Sequence, residues 1–196
     1  MQTKSVDGRM FIAGQRTWST SAATFDAIDP ATGEGFTRVA LGDKTDIDAA
    51  VASARAAFDG GWAGLPPVRR VRILHQLAGS LRDRRAEFAA LESLDVGKPL
   101  RQAEDDVSAA AGYFEFFAGV ADKVFGSSIP LGKGFVDFTL REPLGISAQI
   151  VPWNYPLRLA ARGIAPALAC GNTVVAKPAA EAGLTEEHIS GLLSED

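Results

Sequence analysis

The 196-residue sequence has a single cysteine, Cys170, which excludes an internal disulfide and makes a reducing, cytoplasmic setting the expectation. Its two histidines, His75 and His188, stand in no ligand spacing, and no metal site is expected. No run approaches the roughly eighteen apolar residues of a membrane span, and residues 1–9 lack the hydrophobic core of a signal peptide. Neither sign of charge dominates: 20 Lys and Arg against 24 Asp and Glu give a net −4, so nothing electrostatic favours nucleic acid or an anionic membrane. There is no repeat and no low-complexity tract. The glycine fingerprint of dinucleotide-binding loops is missing too, since Gly132-Lys133-Gly134 has no third glycine in place. With 46% hydrophobic residues the chain is long enough to bury a core.

The most ordered pattern lies in residues 142–178. An apolar run at 146–151 suits a strand buried on both faces. Pro152 ends its ladder, and Pro156 suits the first turn of a helix. Leu157, Ala160, Ile164 and Leu168 then fall on one helical face. Gly171-Asn172 stops that helix, and residues 173–176 form a second β-branched strand. Two strands joined by one helix imply a parallel pair, with ligands expected just beyond the carboxyl ends. Trp153, Asn154 and Lys177 stand there.

Upstream, residues 11–13, 16–18, 25–28 and 36–41 read as short strands separated by turns at Gly14-Gln15 and Asp29-Pro30. Thr45 is a candidate helix cap with Asp48 as its box partner, and Ile47, Val51, Ala54 and Phe58 form the inward stripe up to Gly60-Gly61. Pro66-Pro67 opens a second helix carrying Leu74, Leu77, Leu81, Phe88 and Leu91 inward. A third helix runs over 100–120, with Ala103, Val107, Ala110, Phe114 and Phe117 on one face. Residues 135–140 alternate as a strand with Val136, Phe138 and Leu140 on its buried side. The arginines at 69, 70, 72, 82, 84 and 85 and the acids Glu104, Asp105 and Asp106 are read as solvated helix faces rather than an anion patch or a metal site.

The motifs Glu142-Pro143-Leu144-Gly145, Pro152-Trp153-Asn154-Tyr155-Pro156, Ile164-Ala165-Pro166-Ala167-Leu168-Ala169 and Gly171-Asn172-Thr173-Val174-Val175 with Lys177-Pro178 come in an order and spacing that resemble the aldehyde dehydrogenase family. The resemblance runs from about residue 11 to residue 185. It implies an α/β fold: an N-terminal helical layer plus the first βαβ of a Rossmann-like parallel sheet, the N-terminal part of a longer enzyme. Residues 1–122 would be the arm and helices of the cofactor-binding domain. Residues 123–143 would be a loop and extended strand used for oligomerisation, and 144–196 the βαβ with a divergent tail.

The resemblance also implies NAD or NADP as cofactor, an aldehyde as substrate, and a homo-oligomer or association with a full-length subunit. It assigns Asn154 as donor to the oxyanion of the reacting aldehyde, a kind of contact worth about 10²–10³ in rate. The residue's own pattern, taken without the resemblance, favours an amide that bonds its own loop. Lys177 would hold the adenosine ribose, and Ile150, Val151, Pro152 and Trp153 would line the cofactor site. Cys170 falls where the family carries a small packing residue. The catalytic cysteine, the general-base glutamate and the pyrophosphate-binding turn belong to later family sequence, so the chain alone is expected to be inactive. A non-catalytic interaction module and an unrelated nucleotide-binding α/β protein remain the rivals. One departure concerns cofactor choice: where many members carry a glutamate after Lys-Pro-x, this chain has Ala180, with Glu181 one place later.

Overall fold

The computed structural model describes residues 6–184. The tail beyond, with His188, lies outside the described residues. Two short antiparallel hairpins open the chain: β1 (Met10–Ile12) with β2 (Gln15–Thr17), and β3 (Thr24–Ile28) with β4 (Gly35–Ala40). Helices α1 (Lys44–Ala57), α2 (Pro67–Asp83), α3 (Arg85–Val96) and α4 (Leu100–Val120) follow. A small hairpin of β5 (Ser128–Ile129) and β6 (Asp137–Phe138) leads to β7 (Ile146–Ile150), α5 (Pro156–Ala169) and β8 (Thr173–Lys177). Strands β7 and β8 pair in parallel, Ile146 opposite Thr173 and Ile150 opposite Lys177. The fold is α/β, with the expected βαβ unit at its end.

Helix α1 is capped two residues earlier than the sequence suggests. Asp43 accepts the Thr45 amide at 2.7 Å, and Asp46 rather than Asp48 closes the box by accepting the Asp43 amide at 3.0 Å. Asp46 also accepts the hydroxyls of Thr20 and Ser19, both at 2.7 Å, and the Thr20 amide at 3.0 Å. The Thr20 hydroxyl and the other donors hold this buried carboxyl far below its usual range and tie the N-terminal arm to α1. Ile47 and Val51 are exposed while Ala54 is buried and Phe58 half-buried, so only the C-terminal half of the stripe expected on α1 is covered within this chain.

The long second helix is two helices. Arg84 leaves helical geometry (φ −101°, ψ 19°), and α3 swings away to pack on α4. No glycine or proline marks the break, so packing overrides local preference. Helix α4 occupies the expected residues, opened by Pro99. Its Ala103, Val107, Ala110, Ala111 and Phe114 meet Leu74, Leu77 and Leu81 of α2 and Leu157, Ala160, Ala161 and Ala165 of α5 in one core. The small side chains on α4 and α5 let the two backbones come close.

Helix α5 leaves part of the strand pair uncovered. Ala148 and Ile150 are exposed, so β7 is not buried on both faces as its apolar run suggested. The alternating stretch at 135–140 is likewise uncovered: Val136 is 89% and Leu140 74% exposed, and only two of its residues pair as a strand.

The turn between α3 and α4 depends on Gly97, which ends α3 in the left-handed region at φ +70°. A Cβ there would stand 2.6 Å from Pro30 Cγ. Gly97→Ala should therefore destabilise the chain by about 1–2 kcal/mol from backbone strain alone. Urea denaturation checks this, and an unchanged midpoint would mean that the turn relaxes freely.

Candidate functional site

The parallel register puts the carboxyl ends of β7 and β8 side by side. Ile150 is the register partner of Lys177, and the Val151 amide donates to the Lys177 carbonyl at 3.1 Å. Beyond that bond the chain turns at residues 152–155 and enters α5 at Pro156. One rim thus gathers Ile150, Pro152, Trp153, Asn154 and Lys177, all exposed. Val151 differs: it faces the core, leaving only its backbone to the rim.

The side-chain amide of Asn154 makes no hydrogen bond to any described residue. Among the described residues Lys177 Nζ donates to the Pro178 carbonyl alone, at 2.8 Å, which leaves two donors unused there. An ammonium, an indole face and a free amide on one open edge suit an anionic ligand with flat rings.

Cys170 is at the other pole. It caps the C-terminus of α5, while Asn154 precedes its N-terminus, so roughly 20 Å of helix separates them. Its thiol is exposed rather than packed, which corrects the expectation of a packing residue. The last helical residues, Leu168 and Ala169, face the core, and the chain turns outward before Gly171 (φ +86°).

Among the described residues no three His, Cys, Asp or Glu side chains converge as a metal group, and no helix is long and apolar enough to cross a membrane. Ala180 and Glu181 are exposed central residues of a tight turn in which the Ala182 amide donates to the Ala179 carbonyl at 3.4 Å. They are not on a helix, so turn geometry sets their different directions.

Several charges thought to be solvated are buried. Arg70 is 8% exposed and donates to the carbonyls of Ala169, at 3.1 Å, and Leu65. Beneath the rim, Lys98 Nζ bonds Glu92 at 2.6 Å and Asp106 at 2.8 Å, and both carboxylates are out of water. Glu104 pairs with Arg85 and Asp105 is exposed; of the three acids only Asp106 turns inward. The signal for it was its place three residues after Ala103 and four before Ala110, on the buried stripe.

A family model described as the aldehyde dehydrogenase family matches residues 18–195. The chain belongs to the aldehyde dehydrogenase family. The match extends past residue 185, where the motif resemblance ended. Hydroxyisobutyraldehyde dehydrogenase of Mycolicibacterium austroafricanum is 44% identical over 177 residues, covering 90% of this chain and 35% of that protein. The NADP/NAD-dependent aldehyde dehydrogenase PuuC of Escherichia coli is 37% identical over 97% of this chain and 39% of its own length. The solved structure of indole-3-acetaldehyde dehydrogenase AldA of P. syringae, in complex with NAD+, superposes with a TM-score of 0.96 at 38% identity over 99% of this chain and 40% of that one. The chain therefore spans between a third and two fifths of these relatives, corresponding to their N-terminal part.

Asp95, at the end of α3, holds the segment after β8 by accepting the Leu184 amide at 3.1 Å. Burial pushes this carboxyl up to about 6, with the charge on Glu92 adding to the shift. A raised native pKa means that its stabilising contribution is full below about pH 4 and is lost as pH rises through 6. Asp95→Asn keeps an acceptor for Leu184 and carries no charge. The variant should gain on the wild type by about 2–3 kcal/mol between pH 4 and pH 7. Parallel stability curves in urea titrations across that range would contradict this.

Proposed function

We propose that this chain supplies the cofactor-positioning and oxyanion-donating part of an NAD(P)-dependent aldehyde dehydrogenase, which oxidises an aldehyde to a carboxylic acid. The observation that carries the reading is the unbonded amide of Asn154, held on one rim with Trp153 and Lys177. The nicotinamide cofactor would accept the hydride. Lys177, with two free donors, would bond the adenosine ribose; Ile150, Pro152 and Trp153 would line its bed, with Val151 contributing backbone. Asn154 Nδ2 would donate to the substrate oxygen as negative charge develops there, in a site where a fixed donor costs no reorganisation. Cys170 has no part in this. The thiol and general base of the reaction would come from family sequence beyond this chain, which alone turns nothing over. An exposed free thiol suits a reducing, cytoplasmic compartment.

The turn at Ala180 bears on cofactor choice. A carboxylate near the ribose 2′ position repels a 2′-phosphate, and here that position carries a methyl group, with Lys177 beside it as an attractive charge. The site accordingly accepts NADP as well as NAD.

Fusion of the chain to the C-terminal portion of a relative tests both points. Cofactor reduction with a panel of aldehydes should fall about 10²–10³-fold in Asn154→Ala and stay unchanged in Cys170→Ser. Ala180→Glu should weaken NADP binding selectively in calorimetry. Full activity in Asn154→Ala, or activity lost in Cys170→Ser, would overturn the assignment.

A second reading has its own support. Between residues 124 and 144, Phe125, Phe135, Val136, Phe138, Leu140 and Leu144 are 59–99% exposed, more apolar surface than a monomer normally leaves in water. This segment and the open side of β7 would pair with another copy or with a full-length subunit, and on the interaction-module reading that pairing is the whole function. The chain is expected to run as an oligomer in size-exclusion chromatography with light scattering. A stable monomer at high concentration would contradict association.

A further inference from the structure

The rim is underlain by a cluster of buried charge that the proposed chemistry does not use. Lys98 sits between a helix that must end, at left-handed Gly97, and one that must begin, at Pro99. Ser93 Oγ donates to its carbonyl at 2.8 Å, so its backbone is fixed from three sides. Its side chain runs inward to Glu92, fully buried, and Asp106, 4% exposed. Burial, with the charge of Asp106 adding to it, raises Glu92; burial also opposes the charge on Lys98, but the two carboxylates outweigh it and raise Lys98.

The cluster reaches the rim through one residue. Lys98 Nζ lies 4.8 Å from the centre of the Tyr155 ring, and the Arg158 guanidinium lies 5.9 Å from the same ring. Arg158 in turn stands 3.6 Å from Asp106. Tyr155 immediately follows Asn154 and precedes the first turn of α5, which has no side-chain cap. The Leu157 amide in that turn faces the Glu92 carboxylate, whose Oε2 accepts no hydrogen bond of normal geometry. Lysine, two acids and arginine thus hold both the ring after Asn154 and the helix end after the ring.

We propose that Lys98 and Tyr155 are positioning residues for Asn154: the ammonium, fixed by Glu92 and Asp106, seats the Tyr155 ring and thereby holds the 152–156 turn with its amide free. Buried ion pairs add little net stability over apolar packing, but they fix geometry where register matters. A donor for a developing oxyanion needs that kind of fixing, since its contribution falls off within a fraction of an ångström. This inference rests on the oxyanion reading of Asn154, but its test does not.

Nitrogen-15 relaxation on the 196-residue chain reads the turn directly. The backbone amides of Trp153, Asn154 and Tyr155 should show order parameters of about 0.85, as in a rigid backbone, and fall below about 0.6 in Tyr155→Leu. Tyr155→Phe, which keeps the ring, should match the wild type. Lys98→Met should loosen the same amides. Because that variant strands two buried carboxylates and is at risk of misfolding, Tyr155→Leu, which leaves the charges paired, carries the decision. Amides of α2 and the urea midpoint should not move in Tyr155→Leu. A turn already mobile in the wild type overturns the proposal, as does one unchanged in Tyr155→Leu or one loosened only along with α2. Those results would leave the oxyanion reading standing. A fused enzyme indifferent to Asn154→Ala would sink that reading and leave the clamp intact.

Discussion

Alanines on α4 and α5 meet with no surface left to water, and this contact decides where β7 and β8 can lie. Ala160, Ala161 and Ala165 on one helix face Ala103, Ala110 and Ala111 in the same core. Larger residues there would push α5 away from the helical layer and carry the strand pair with it. Because α5 is held along its length, its first turn is held too, and the residues just before that turn inherit a defined place. The rim is thus a consequence of helix packing, completed by the register that sets Ile150 against Lys177.

The arm and the helices join that core through few polar contacts, each buried or half-buried. Asp46 gathers hydroxyls from Ser19 and Thr20. Thr173 Oγ1 donates to the Ala54 carbonyl at 3.0 Å, and Trp62 Nε1 to the Asn172 carbonyl at 2.9 Å, so α1 and the turn after it lock onto the start of β8. The Gly145 amide, at the head of β7, reaches Asn172 Oδ1 at 3.0 Å. These bonds join segments far apart in sequence, so local patterns gave no sign of them.

Elements bounded by proline or glycine were legible. Helix α4 between Pro99 and its end, α5 from Pro156 to Gly171, and the parallel pair around it all follow from breakers and periodicity. The break at Arg84 was not legible, because only the α3–α4 contact requires it. Apolar stripes were read as buried, and on the first half of α1, on part of β7 and along the 135–140 stretch they are open. These stripes lie open in a chain that spans only part of its relatives' length. Rim residues emerged from the strand–helix–strand pattern and the family motifs together. Arg70 and Asp106 were missed because their charge was read as solvent exposure. Arg70 lies four residues before Leu74, Glu92 four after Phe88 and Asp95 four after Leu91, each in step with a buried stripe.

Helix α5 carries opposite charges at its two ends. The Glu92 carboxylate faces the Leu157 amide in its first turn, and the Arg70 guanidinium bonds the Ala169 carbonyl in its last turn. Both suit the helix macrodipole, negative at the N-terminus and positive at the C-terminus. On a surface helix such pairs fade as ionic strength rises. Here both partners are shielded from the solvent, so mobile ions have little access to either end. The direction in which α5 points, and with it the aim of Asn154, is thereby insulated from the salt content of its surroundings.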